Sequence, residues 1–190
     1  FRESADRHLA LCRLALHRMR AGIDLLGRDR DSLEAFMIAN RVMLMQQFHS
    51  RLRRKLSEAW VELPDGPDGY HADWGRKQGY WRTFQLAFIL MTLPGLTRDE
   101  AETSLGEESV SERDLVDLIW FPTGGGKTEA YLGLAAFSIF RSRLYDPADE
   151  GCKILMRYTL RLLTSQQFQR AASLICACEI FRRREPDRFV

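Results

Sequence analysis

The octet FPTGGGKT, Phe121 to Thr128, limits the folds open to this chain more than any other stretch. It ends one apolar run, Leu115 to Phe121, and opens a helical pattern from about Lys127 to Leu144. Consecutive glycines leave the backbone free of side chains and able to take positive φ, so that successive N–H groups can converge on one anion. The helix that follows points its positive end at the same place. In that context Gly124, Gly125 and Gly126 cradle phosphates, Lys127 reaches the β- and γ-phosphates as a point charge, and Thr128 offers its hydroxyl to Mg²⁺. Pro122, Thr123 and Glu129 complete the stretch expected to contact nucleotide. The general pattern has glycine at its first position, where this chain has Phe121.

The residues beyond the loop alternate in the same way. After the first run and its helix come the loop YDPADEG, a second short apolar run from Cys152 to Tyr158, and a helical pattern from about Thr164 to Arg184. Strand, helix, strand, helix in that order predicts a parallel sheet with right-handed crossovers, the α/β class. Upstream, residues 1–61 read as two helices interrupted at GRDRDS and folded into a hairpin, and 62–79 as a proline- and glycine-rich linker. Residues 80–190 read as one domain that opens with a buried helix, YWRTFQLAFILMTL. Within it, 97–113 is polar and acidic, as expected of a mobile surface insertion without chemistry.

Composition excludes more than it selects. At 190 residues and 45% apolar content the chain can bury a real core, and 28 Lys+Arg against 26 Asp+Glu argue for no particular partner. Cys12, Cys152, Cys176 and Cys178 show neither metal-ligand spacing nor a disulfide framework, and read as reduced, mostly buried cytosolic thiols. The four histidines form no cluster, and the four tryptophans read as core. No apolar run approaches the roughly 20 residues of a membrane helix, and no secretory signal opens the chain, so a cytoplasmic location without a membrane partner is expected. The first residue, Phe1, and the ending RRREPDRFV read as parts of a longer polypeptide.

Two further elements bear on chemistry. In WRTFQLAF, Gln85 carries donor and acceptor side by side, matching the N6 and N7 edge of adenine, with Arg82 three residues before it; the alternative is that both only cap a helix. In RYTLRLLTSQQFQR, the hydroxyl of Thr159, the guanidinium of Arg161 and a helix N-terminus capped by Thr164 or Ser165 make a corner fit for nucleic-acid phosphates; the alternative is surface and cap residues. The basic run RLRRK, Arg51 to Lys55, reads first as a solvated helix face.

These segments together resemble superfamily 2 helicases. PTGGGK looks like their phosphate loop, Arg82-x-x-Gln85 like their adenine-reading element, and Thr159 to Leu163 like the motif with which they hold a tracked strand, Tyr158 replacing its proline. DLIWFPTGGGKTEAYLGLAAF followed by ILMRYTLRLLTSQQFQRAASLICA resembles more narrowly the DrmA family, the helicase subunits of bacterial DISARM anti-phage systems. The resemblance implies a RecA-like P-loop motor domain, here its front part, preceded by the helical hairpin. It also implies a DNA-dependent ATPase using ATP and Mg²⁺, and partners in DNA and a DrmB-like protein. No Asp-Glu box and no second motor domain follow, so this stretch alone is expected to bind nucleotide weakly and hydrolyse almost none. Two other readings stay open: an unrelated P-loop enzyme such as a kinase, and a nucleotide-regulated scaffold.

Overall fold

In the computed structural model, which describes residues 2–55, 64, 67–72, 79–97, 102–105, 108–120, 125–157, 161–186 and 189, the N-terminal helical pattern breaks at one residue. Helix α1 spans Arg2–Arg28 and α2 spans Arg30–Lys55. Asp29 separates them because its carboxylate serves the new helix: it accepts from the Asp31 N–H at 3.2 Å and from the Ser32 hydroxyl at 2.5 Å. Helix α3 follows at Thr83–Thr92, then the strands β1, Glu102–Leu105, and β2, Glu108–Ser111, and helices α4, Lys127–Tyr145, and α5, Arg161–Arg184. None of the described helices is long and apolar enough to cross a membrane.

The chain divides into two compact units, Phe1–Leu33 with Arg82–Ala130, and Glu34–Trp81 with Tyr131–Val190. In the first, α1 packs on α3 through a very close approach. A Cβ on Gly22 would lie 2.0 Å from the Leu90 carbonyl oxygen, so only glycine lets the two backbones meet there. Leu25, Ile89 and Leu93 fill the core around that contact. The ribbon β1–β2 pairs antiparallel, Glu102 opposite Ser111 and Leu105 opposite Glu108, and a single 3₁₀ turn, Glu112–Asp114, follows it.

In the second unit Phe140 of α4, Phe181 of α5 and Phe189 meet edge to face, with centroids 5.4 to 6.4 Å apart. Phe48 and His49 of α2 hold the buried Tyr70, whose hydroxyl lies 2.7 Å from the His49 Nε2. Desolvation lowers the His49 pKa below its ordinary value. The Asp149 carboxylate accepts from Ser142 and Lys153, which closes the turn after α4 and holds its pKa well below the carboxylate range.

The parallel α/β sheet expected of a RecA-like motor domain is not formed by the described residues. Among the described residues the β-structure is one local antiparallel ribbon, and the rest of the regular structure is helical. Of the runs 115–121 and 152–158, expected as the first two strands, the described residues 115–120 and 152–157 form no strand. Strand pairing needs hydrogen-bonded neighbours, and a parallel sheet needs cover on both faces. Here Val116 is 96% exposed, Leu118 and Trp120 are 87%, and Leu155 is 82%. Ile154 and Met156, on the other side of the second segment, line an open cavity of about 330 Å³ with Leu132, Ala135 and Leu174.

Other expectations change with it. The N-terminal hairpin is not a unit of its own, since α1 joins α3 in the first unit while α2 from Glu34 onward belongs to the second. Within 97–113, expected as a surface insertion, the described residues include the ribbon and the buried Glu112. Cys12, Cys152 and Cys176 are exposed, and only Cys178 is core, where burial pushes its thiol up to about 12. Trp120 is exposed rather than core.

Candidate functional site

The first unit brings the start of α3 against the end of the glycine loop. Arg82 is the last extended residue before α3, with φ −72° and ψ 150°, and its carbonyl starts the helix by accepting from the N–H groups of Gln85 and Leu86. The Gln85 side chain folds back over this start. Its Oε1 accepts from the Arg82 N–H at 2.7 Å, the side-chain half of a capping box. Its Nε2 donates to the Gly126 carbonyl at 2.7 Å. The amide is therefore engaged at both ends, and Gln85 is 4% exposed. The Arg82 guanidinium, from the exposed side, donates to the Gly125 carbonyl at 2.8 Å.

Two consecutive loop carbonyls are thus held by two side chains of one helical turn. Gly126 sits at φ +89°, a region that costs any other residue energy. A Cβ there would also stand 2.7 Å from the Gln85 Nε2 and 3.3 Å from the Glu129 Oε2, so the position requires glycine on both counts. Helix α4 begins at the next residue, Lys127. Lys127, Thr128 and Glu129 are half-buried in its first turn, and Ala130 is fully buried beneath them. A left-handed glycine opening directly onto a helix N-terminus with lysine and a hydroxyl residue in the first turn is the local geometry of an anion nest.

The described residue types are compatible with a nucleotide's phosphates. The Cβ volume that Gly126 lacks is taken by the Gln85 amide, and the ligand types present, an ammonium and a hydroxyl at a helix start, suit phosphate oxygens and a phosphate-borne Mg²⁺. No group of three or more His, Cys, Asp or Glu among the described residues could hold a metal by itself. Phe121, Pro122, Thr123 and Gly124 lie outside the described residues, as does Thr159. Arg161 is the first residue of α5, three residues earlier than the sequence pattern places that helix, and Thr164 is in its first turn. The side chains of Arg161 and Thr164, and those of the basic run 51–55, lie outside the described structure.

A second polar cluster in the same unit was missed by the sequence. Arg18, in the middle of α1, is 6% exposed and donates to three acceptors. Its Nε and Nη2 reach both oxygens of Glu112 at 2.8 to 3.1 Å, its Nη1 and Nη2 reach Asp117, and its Nη2 reaches the Met91 carbonyl at 3.4 Å. The hydrogen bonds to Asp117, and then those to Glu112, raise the guanidinium pKa further above its already high value, although burial opposes them. The cluster ties α1 to the segment that precedes the glycine loop. One signal for it was legible: Asp117 interrupts the apolar run Leu115 to Trp120, and a carboxylate there needs a partner. Nothing in the sequence marks Arg18 as that partner.

Comparison with known proteins gives one point of reference. The chain is 38% identical over 191 residues to the DISARM protein DrmA of Bacillus paralicheniformis, an alignment covering 96% of this chain and 16% of that protein. The chain thus spans about a sixth of the length of the relative it matches. No family model matches the chain, and no solved structure does.

Proposed function

We propose that this chain is the nucleotide-binding segment of a DrmA-like protein that serves a DISARM anti-phage defence system as a helicase-type, DNA-dependent ATPase. The observation that carries the reading is the loop end: Gly126 at φ +89°, its carbonyl held from behind, opening onto α4 at Lys127 and Thr128. The similarity to DrmA across 96% of the chain supports the defence role. Gly124, Gly125 and Gly126, with Pro122 and Thr123, would wrap the phosphates. Lys127 would neutralise charge on the β- and γ-phosphates, and Thr128 would bind Mg²⁺, which when present shields the same oxygens. Thr159, Arg161 and Thr164 would hold a DNA strand by its phosphates, contacts that bind without reading sequence. Another DISARM component, such as a DrmB-like protein, is the expected partner.

Steady-state phosphate release by the full-length protein, with and without single-stranded DNA, tests this. Stimulation by DNA is expected. Lys127→Ala should lower turnover on the order of a hundredfold, the usual loss when one preorganised charge contact to a transition state is removed. Turnover indifferent to DNA would point instead to a P-loop enzyme of another kind. No turnover, with nucleotide still bound, would leave a nucleotide-regulated scaffold.

A further inference from the structure

We infer that Gln85 is a positioning residue for the phosphate loop rather than a reader of the nucleotide base. The inference rests on the phosphate-binding reading above and assigns one residue of that site a different task.

The peptide plane sets the geometry. In a trans peptide the C=O of one residue and the N–H of the next point in opposite directions, and the described chain contains no cis peptide. Arg82 holds the Gly125 carbonyl, so the Gly126 N–H faces away from Arg82. Gln85 holds the Gly126 carbonyl, so the Lys127 N–H faces away from Gln85. Fixing two carbonyls from behind aims two successive N–H groups forward as a pair. It also keeps two carbonyl oxygens from turning toward the phosphates, which they would repel.

The same bonds commit one of the amide's two N–H groups and one of its oxygen's two lone pairs to the backbone, and burial encloses the rest. Its oxygen accepts from the Arg82 N–H at 2.7 Å, its nitrogen donates to Gly126 at 2.7 Å, and the side chain is 4% exposed. An amide reading adenine must present donor and acceptor together to the ligand. Here donor and acceptor point to two different backbone segments, which they join.

The conservative variant Gln85→Glu separates the roles. It keeps an oxygen for the Arg82 N–H, so the start of α3 survives, and it replaces the donor to Gly126 with an acceptor. In the full-length protein, equilibrium binding of ATP and of inorganic tripolyphosphate should weaken by the same factor, about tenfold for one well-placed hydrogen bond lost. Amide hydrogen exchange at Gly126 and Lys127 without nucleotide should quicken; the urea midpoint should fall, because the new carboxylate is buried against a carbonyl, so Gln85→Met, which removes the donor without adding a charge, should show the same equal weakening of both ligands. Weakened ATP binding with unchanged tripolyphosphate binding would overturn the inference and restore Gln85 to the base. Unchanged exchange at Gly126 and Lys127 would overturn it as well. If the wild-type protein binds neither ligand, the phosphate reading falls, and the exchange rates alone then decide whether Gln85 holds the loop.

Discussion

The first unit contains two polar knots that look alike and act differently. Around Arg18, one buried cation meets two carboxylates, side chain to side chain, and joins segments far apart in sequence. Around Gln85, an amide and a neighbouring guanidinium meet backbone carbonyls within two residues of a helix start. A charge cluster removed from water fixes where a segment lies, because any departure leaves a charge without its partner. A side chain on a carbonyl fixes which way a peptide plane faces and leaves position to the packing. The first holds a segment in place, and the second, on the function proposed above, prepares the loop for phosphate.

Substitutions can break that contrast, beginning with the largest effect. Arg18→Ala strands Glu112 and Asp117 and should lower stability by about 3 to 5 kcal/mol, read from urea denaturation. Its effect on tripolyphosphate affinity should be small under conditions where the protein stays folded. Gly126→Ala inverts the pattern. The positive φ and the contact with Gln85 should cost about 1 to 2 kcal/mol of stability, while triphosphate affinity measured by calorimetry falls more than about tenfold. Arg82→Ala is the mildest, since its guanidinium is exposed: affinity should fall about two- to threefold and stability should hardly change. If Arg18→Ala weakened phosphate binding as much as Gly126→Ala does, the two knots would be one device and the contrast would fail.

Local features of this fold were legible in the sequence and long-range ones were not. The break in GRDRDS lies at Asp29, whose short carboxylate caps the next helix, and the glycine loop opens onto α4 at Lys127, the residue the motif requires. The helix ahead of the loop stops where Pro94 forbids its continuation. Strands are different, because an apolar alternation dictates an extended backbone and not the neighbour that would make it a sheet. LVDLIW shows the alternation, with Val116, Leu118 and Trp120 on one side, and no pairing among the described residues. The ribbon was missed for the opposite reason, since its residues are mostly polar and its partner strand begins only three residues after the first one ends. Arg82 and Gln85 were found by resemblance to an adenine reader. Their bonds to Gly125 and Gly126 join residues some forty positions apart, which no local pattern announces.

The bare side of residues 115–120 also governs how the chain can be handled. An extended backbone with large apolar groups on alternate positions is a template to which strands of other molecules add. The side chains of Val116, Leu118 and Trp120 lie almost wholly in solvent, on alternate positions. The isolated chain is therefore expected to associate as its concentration rises, and iodide quenching of Trp120, full in the dispersed chain, should then fall.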